Sequence, residues 1–168
     1  MRTYLDCIPC FFNQALRAGR IATRDETKLK NYSDKTNEIL YISDNAGESV
    51  FDRILIEEMK KPAIYVVRAM PVINDVTHED AVQAGIDKVA SILSSGTSAP
   101  GTVLETCNAE FKEIYKNSKF VIGKGQGNYE GLSDEKHPIF FLLKAKCWVI
   151  ANDIGVNEGD VVLKGMNV

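Results

Sequence analysis

The chain has 168 residues, which suits one domain of ordinary size. Hydrophobic residues make up 45% and charged residues 26%, the balance of a soluble globular protein. A formal net charge of −3 argues against a nucleic-acid partner, and the apolar run Ile139 to Leu143 is far too short to span a bilayer.

The opening, Met1-Arg2-Thr3-Tyr4-Leu5-Asp6, carries charge where a signal peptide would be apolar, so a cytoplasmic location is expected. Residues 3–22 predict one or two short helices, with Phe11, Phe12, Ala15, Leu16 and Ala18 at helical spacing and Gly19 as a stop. This segment holds Cys7-Ile8-Pro9-Cys10, a C-x-x-C. No second Cys or His pair completes a zinc shell, so a structural reading of the pair leads over a redox or metal one. Cys107 and Cys147 sit among apolar residues and are expected in the core. Residues 23–38 are polar apart from Leu29 and read as a linker or an exposed helix. The predicted division is therefore an N-terminal segment, 1–38, and a main domain, 39–168.

From Ile39 the pattern alternates between strands and helices. Ile39 to Ser43 reads as a strand, and Val50 to Lys60 as a helix presenting Val50, Phe51, Ile54, Leu55 and Met59 on one face. Ala63 to Arg68 is a second strand. Thr77 and Asp80 have capping-box spacing and start a helix that ends near Gly85. Further strands are predicted at Lys88 to Leu93, Lys119 to Ile122, Ile139 to Leu143 and Val161 to Leu163. A helix capped by Asn108 carries Phe111, Ile114 and Tyr115, and Cys147 to Ile154 reads as a short helix. Alternation of this kind implies βαβ units and a mostly parallel sheet covered on both faces.

In such sheets ligands bind beyond the carboxyl ends of the strands. Four predicted strand ends carry polar loops: Asp44-Asn45, Asn74-Asp75, Ser94-Ser95-Gly96 and Gly123 to Asn128. Asp44, Asn45 and Asp75 would offer three oxygens to a hard divalent cation, leaving other positions to water and substrate. Asp44 and Asn45 are also good helix caps, so a purely structural role stays open. Lys124 lies between glycines, where backbone N–H groups and its point charge suit a phosphate, with Asn128 nearby. Ser95, Gly96, Gly127 and Glu48 complete the predicted substrate-binding set, Glu48 also as a proton-transfer residue or a support to the metal ligands. The run Gly123-x-Gly125-x-Gly127 departs from the dinucleotide fingerprint, whose third glycine follows after three residues. His78 and His137 read as surface or capping residues, and no Gly-x-Ser-x-Gly elbow occurs.

Taken in order, Cys-Ile-Pro-Cys-Phe at the start, Ser-Asp-Asn-Ala-Gly-Glu at 43–48, Asn-Asp-Val-Thr at 74–77, Ser-Ser-Gly at 94–96, Ala-Pro-Gly-Thr at 99–102 and Gly-Lys-Gly-Gln-Gly-Asn-Tyr-Glu-Gly at 123–131 form a set. It resembles the metal-dependent damage-control phosphatases, formerly the domain-of-unknown-function eighty-nine family, in their compact prokaryotic and archaeal branch. The resemblance implies a Rossmann-like α/β/α domain and a divalent metal (Mn²⁺, Mg²⁺, Co²⁺ or Ni²⁺) on Asp44, Asn45 and Asp75. It implies hydrolysis of phosphate monoesters of small metabolites, such as sugar phosphates, nucleotides or damaged cofactor phosphates, with Lys124 at the phosphate. Relatives carry a helical lid before the Asp-Asn strand. Here that region shrinks to residues 23–38, which leaves a lid absent or supplied by another chain and leaves room for a homo-oligomer. Gln126 and Glu130 replace an Asp and an Arg of the eukaryotic branch, so its substrates do not transfer. The alternative reading is a non-catalytic metal- or nucleotide-binding module of the same fold.

Overall fold

The structure, a computed structural model, describes residues 21–168. The C-x-x-C of Cys7 and Cys10 lies outside the described residues.

The strands are β1 (Ile21–Arg24), β2 (Ile39–Ile42), β3 (Ala63–Val67), β4 (Ser91–Ser94), β5 (Val121–Lys124), β6 (Ile139–Lys144) and β7 (Val161–Met166). The helices are α1 (Glu26–Lys35), α2 (Ser49–Met59), α3 (His78–Gln83), α4 (Ala109–Asn117), α5 (Gly125–Leu132) and α6 (Trp148–Ile154). The seven strands form one sheet in the order β1-β7-β6-β5-β2-β3-β4. Strands β2 to β6 are mutually parallel, while β7 runs antiparallel to β6 and β1 follows β7. No described helix is long and apolar enough to cross a membrane.

Period-two alternation along the central strands divides the core into two layers. Ile39, Tyr41, Tyr65, Val67, Ile122 and Phe140 face one side, under Leu29 of α1 and Leu55, Ile56 and Met59 of α2. Leu40, Ile42, Val66, Val121 and Phe141 face the other, under Phe111 and Tyr115 of α4, Leu132 of α5 and Ile150 of α6. A sheet buried on both faces explains why β2 reads as a continuous apolar run. The capping box of Thr77 and Asp80 forms, and Asn108 accepts the Phe111 N–H at the start of α4.

Four expectations change. Of the two readings of residues 23–38 the helix holds, at Glu26–Lys35, and the linker does not: β1 is an edge strand of the sheet, and α1 packs Leu29 into the core. The strand predicted at Lys119 to Ile122 lies two residues later, and its last residue leads directly into α5 rather than into a polar loop. Helix α2 is turned about its axis from the predicted face. Val50, Phe51 and Ile54 are exposed, while Ser49, Asp52, Leu55, Ile56 and Met59 point inward. Cys147, expected in the core, is only half-buried.

Helix α5 is bare along one edge, with Gly127 and Gly131 one turn apart, and the backbone of Gly101 and Thr102 lies against it. A Cβ at Gly131 would overlap the Thr102 carbonyl oxygen. Alanine is the better helix former by roughly 1 kcal/mol, whereas overpacking against backbone costs about 1–3 kcal/mol. The close approach should win. Gly131→Ala is expected to destabilise the protein by about 1–2 kcal/mol in urea unfolding, and a stabilised variant would mean that the loop yields freely.

Candidate functional site

The polar edge forms where the chain leaves β2 and β3. After β3 it doubles back, so that residues 44–46 and 74–76 run antiparallel. Val76 N–H donates to the Asp44 carbonyl at 2.9 Å, and Ala46 N–H donates to the Asn74 carbonyl at 2.8 Å. An isolated bridge pairs Asn45 with Asp75. This zipper brings Asp44, Asn45 and Asp75 together from sequence positions thirty residues apart. Asn45 also caps the turn that follows, its Oδ1 accepting the Gly47 N–H at 2.7 Å. The capping and ligand readings are therefore compatible, because an amide oxygen has two lone pairs.

Arg68, the residue just past β3, is buried and fixes Asp75. Its Nε donates to Asp75 Oδ2 at 2.7 Å, its Nη1 to Thr102 Oγ1 at 3.1 Å and its Nη2 to Asn128 Oδ1 at 3.0 Å. Thr102 donates to the same Asn128 oxygen at 2.7 Å. Asn128 Nδ2 donates to the carbonyls of Ser43 and Lys124 at 2.8 and 2.7 Å. One guanidinium thus ties the ends of β2, β3 and β5 to the loop at Thr102. Sequence reasoning missed Arg68; the available signal was a lone charge closing an apolar strand.

Lys124 ends β5 and is 1% exposed. Its Nζ donates to Glu48 Oε2 and to Asp52 Oδ1, both at 2.9 Å. Asp52 is equally buried and accepts two phenols as well, Tyr41 at 2.7 Å and Tyr65 at 2.8 Å. Burial lowers the Lys124 pKa, but the charges of Asp52 and Glu48 outweigh it and hold the ammonium above its ordinary range. Burial and the Asp52 charge push both phenols well up, so they remain O–H donors. Asp52 was the other residue missed: it hides within an amphipathic helix as an apparent surface charge.

The predicted set therefore divides. Asp44, Asn45, Asp75, Glu48 and Lys124 come together. Asn128 is placed among them, but its side chain is spent on the scaffold and it cannot hold a phosphate without breaking that network. Gly127 serves packing against Gly101. Ser95 is buried, with its hydroxyl and N–H both donating to the Val67 carbonyl. Gly96 lies under Asn108. Strand β4 stands two places from β2, about 10 Å away, and both residues follow it at the sheet edge.

Asp44 is the exception in this network. Its carboxylate takes no hydrogen bond from any described residue and lies against Gly125, where a Cβ would overlap it. Gly125 has φ +77, so glycine is required both for its backbone and for that contact. Burial first, then the charges of Asp75 and Glu48, raise the Asp44 pKa to about 6, against a weaker opposite pull from Lys146 and Lys124. Among the described residues no group of three or more His, Cys, Asp or Glu is arranged to hold a metal ion. The set that fits one is two carboxylates and an amide: Asp44, Asp75 and Asn45. It is an all-oxygen set of the kind hard divalent cations take, and its first carboxylate lacks a donor.

A raised carboxyl pKa favours the protonated form in the fold. Its stabilising contribution is full below the unfolded value of 3.8 and is lost as pH rises through about 6. In chelator-containing buffer, Asp44→Asn should therefore be more stable than wild type by about 1–2 kcal/mol at pH 7.5. The difference should vanish near pH 4. Urea melts at the two pH values check this; equal stability at pH 7.5 would mean that the ionised carboxylate is at ease without a cation.

Residues 20–162 match the Damage-control phosphatase ARMT1-like domain. A damage-control phosphatase of Pyrococcus horikoshii is 41% identical over 143 residues, 82% of this chain and 50% of its own length. Another, of Archaeoglobus fulgidus, is 38% identical over 159 residues, 92% of this chain and 54% of its own. An uncharacterised protein of Methanocaldococcus jannaschii is 43% identical over 154 residues, 86% of this chain and 51% of its own. The crystal structure of a DUF89 family protein from Pyrococcus horikoshii has a TM-score of 0.81 at 37% identity, covering 86% of this chain and 52% of that one. The chain spans about half the length of the curated relatives it matches. The matched region takes in the Asp44 zipper, Arg68, the Lys124 cluster and the glycine-edged helix, and the chain belongs to the ARMT1-like damage-control phosphatase family.

Proposed function

We propose that the protein is a metal-dependent phosphatase that hydrolyses phosphate monoesters of small phosphorylated metabolites. The observation that carries this reading is Asp44: a half-buried carboxylate without a hydrogen-bond donor among the described residues, beside the paired Asn45 and Asp75 at the carboxyl edge of the sheet. Asp44, Asp75 and Asn45 would hold a divalent cation of the Mg²⁺, Mn²⁺, Co²⁺ or Ni²⁺ class. When bound, it supplies Lewis acidity toward a phosphoryl oxygen.

The chain's own residues supply the rest. Arg68 holds Asp75 by Oδ2 alone, so Oδ1 is not taken by the guanidinium. Helix α5 starts against Asp44, and the N–H groups of its first turn have no intrahelical partner, which suits the oxygens of an anion. Lys124 brings a positive charge to the same edge. Every one of these groups sits on a strand end or a helix start, so binding requires little reorganisation.

One observation favours a second reading, a metal- or nucleotide-binding module without turnover: the Lys124 ammonium is already covered by Glu48 and Asp52. A panel of an aryl phosphate, sugar phosphates and nucleotides, each with and without the four cations, separates the two. Metal-dependent release of phosphate supports the enzyme; metal binding without release supports the module.

In the enzyme case, Asp44→Ala and Asp75→Ala should each lower metal-dependent turnover by at least roughly 100-fold while leaving the circular dichroism spectrum unchanged. Wild-type turnover in either variant would overturn the ligand assignment.

A further inference from the structure

Among the described residues the Lys124 ammonium meets two carboxylates of different character. Asp52 is 1% exposed and held on both oxygens, by Tyr41 on Oδ1 and Tyr65 on Oδ2. The two tyrosines face each other across β2 and β3, with ring centroids 5.5 Å apart, so their hydroxyls converge on one anion. Glu48 stands on the turn before α2, and its side chain is 40% exposed. Lys124 is the one hydrogen-bond partner of that side chain among the described residues. The inner carboxylate cannot leave without stranding two phenols and a buried ammonium. The outer one can leave by a side-chain rotation into water, at the cost of one half-exposed ion pair.

We infer that Glu48 is an exchangeable counter-ion, standing in the substrate-free protein where the phosphoryl oxygens of a substrate bind, and that Asp52 is the positioning residue that keeps Lys124 aimed there. This rests on the phosphatase reading. It resolves an apparent conflict within it, since a Lys124 already covered by a carboxylate cannot touch a phosphate. Phosphate and Glu48 compete for the same ammonium, and the departure of Glu48 removes the negative charge that would repel the incoming anion. Glu48 thereby acts as a selectivity filter: only a ligand carrying more negative charge than one carboxylate displaces it, which favours phosphate monoester dianions over diesters.

The two carboxylates make opposite predictions for the same loss of charge. Calorimetric titration of inorganic phosphate into the protein in Mg²⁺ buffer should give a Kd lower by roughly threefold to tenfold in both Glu48→Gln and Glu48→Ala. The KM for an aryl phosphate should fall with it, by more than kcat changes. Asp52→Asn should weaken phosphate instead, because Lys124 loses its anchor. Should Asp52→Asn fail to fold, Tyr65→Phe, which loosens the same carboxylate, takes its place with the same expected direction. Long-range electrostatics alone would tighten phosphate in the Glu48 and Asp52 variants alike, and that result overturns the inference. So does an unchanged or raised Kd in the Glu48 variants, or a loss of kcat near 100-fold without tighter binding, which would make Glu48 a proton-transfer group. These outcomes sink the inference alone when wild type binds phosphate and turns over; a wild type that does neither sinks the phosphatase reading as well.

Discussion

A single buried carboxylate, Asp52, constrains much of this structure. Three donors converge on it from three strands: Tyr41 of β2, Tyr65 of β3 and Lys124 of β5. An ionised carboxylate cannot be buried unless its lone pairs are filled, and a buried ammonium needs an anion. Satisfying all of them fixes the rotation of α2 over the sheet. That rotation carries Asp52 inward and turns Val50, Phe51 and Ile54 toward solvent, against the order that apolar burial alone would choose. Exchanging the whole cluster for apolar residues of similar volume could leave the fold as stable, so its value is specification rather than net stability.

The charges at the sheet edge extend the argument. Arg68 answers Asp75, and Lys124 answers Asp52. Asp44 and Glu48 are left over, one without a donor among the described residues and the other sharing a lysine already paired. Among the described residues, the buried Arg68 and Lys124 stand against Asp75, Asp52, Asp44 and the half-exposed Glu48, a negative excess that Lys146 only partly offsets at Asp44. A divalent cation matches that excess, which links the raised Asp44 pKa to the oxygen set beside it.

Much of this was legible in the sequence because it depended on period and position. The strand-helix alternation from Ile39, the capping box at Thr77 and the polar strand ends at Asp44 and Asp75 are local signals, and parallel topology does the rest. What could not be read were pairings between distant residues. Asp52 on an amphipathic helix looks like any surface charge until two tyrosines from neighbouring strands are known to face it. Arg68 looks like the solvent end of a strand. Ser95 and Asn128 carry the right chemistry for a phosphate, yet their polar groups are consumed by the strand ends and side chains they support. Residue type shows what a side chain can bind, but not whether the fold has already bound it.

That last distinction also bears on how the site is kept in register. Asn128 lies between Gly127 and Gly131 on α5, the helix whose bare edge receives the loop at Gly101 and Thr102. Thr102 donates to Asn128, Asn128 accepts from Arg68, and Arg68 grips Asp75. Backbone contact between a helix and a loop is therefore transmitted in three hydrogen bonds to a proposed metal ligand. Every link is buried, where a hydrogen bond lost cannot be replaced by water. A side chain added to the glycine edge would move Thr102 first, and the displacement would reach Asp75 through Arg68. The glycines here serve the chemistry without touching it: they let two backbones approach closely enough for one arginine to span them.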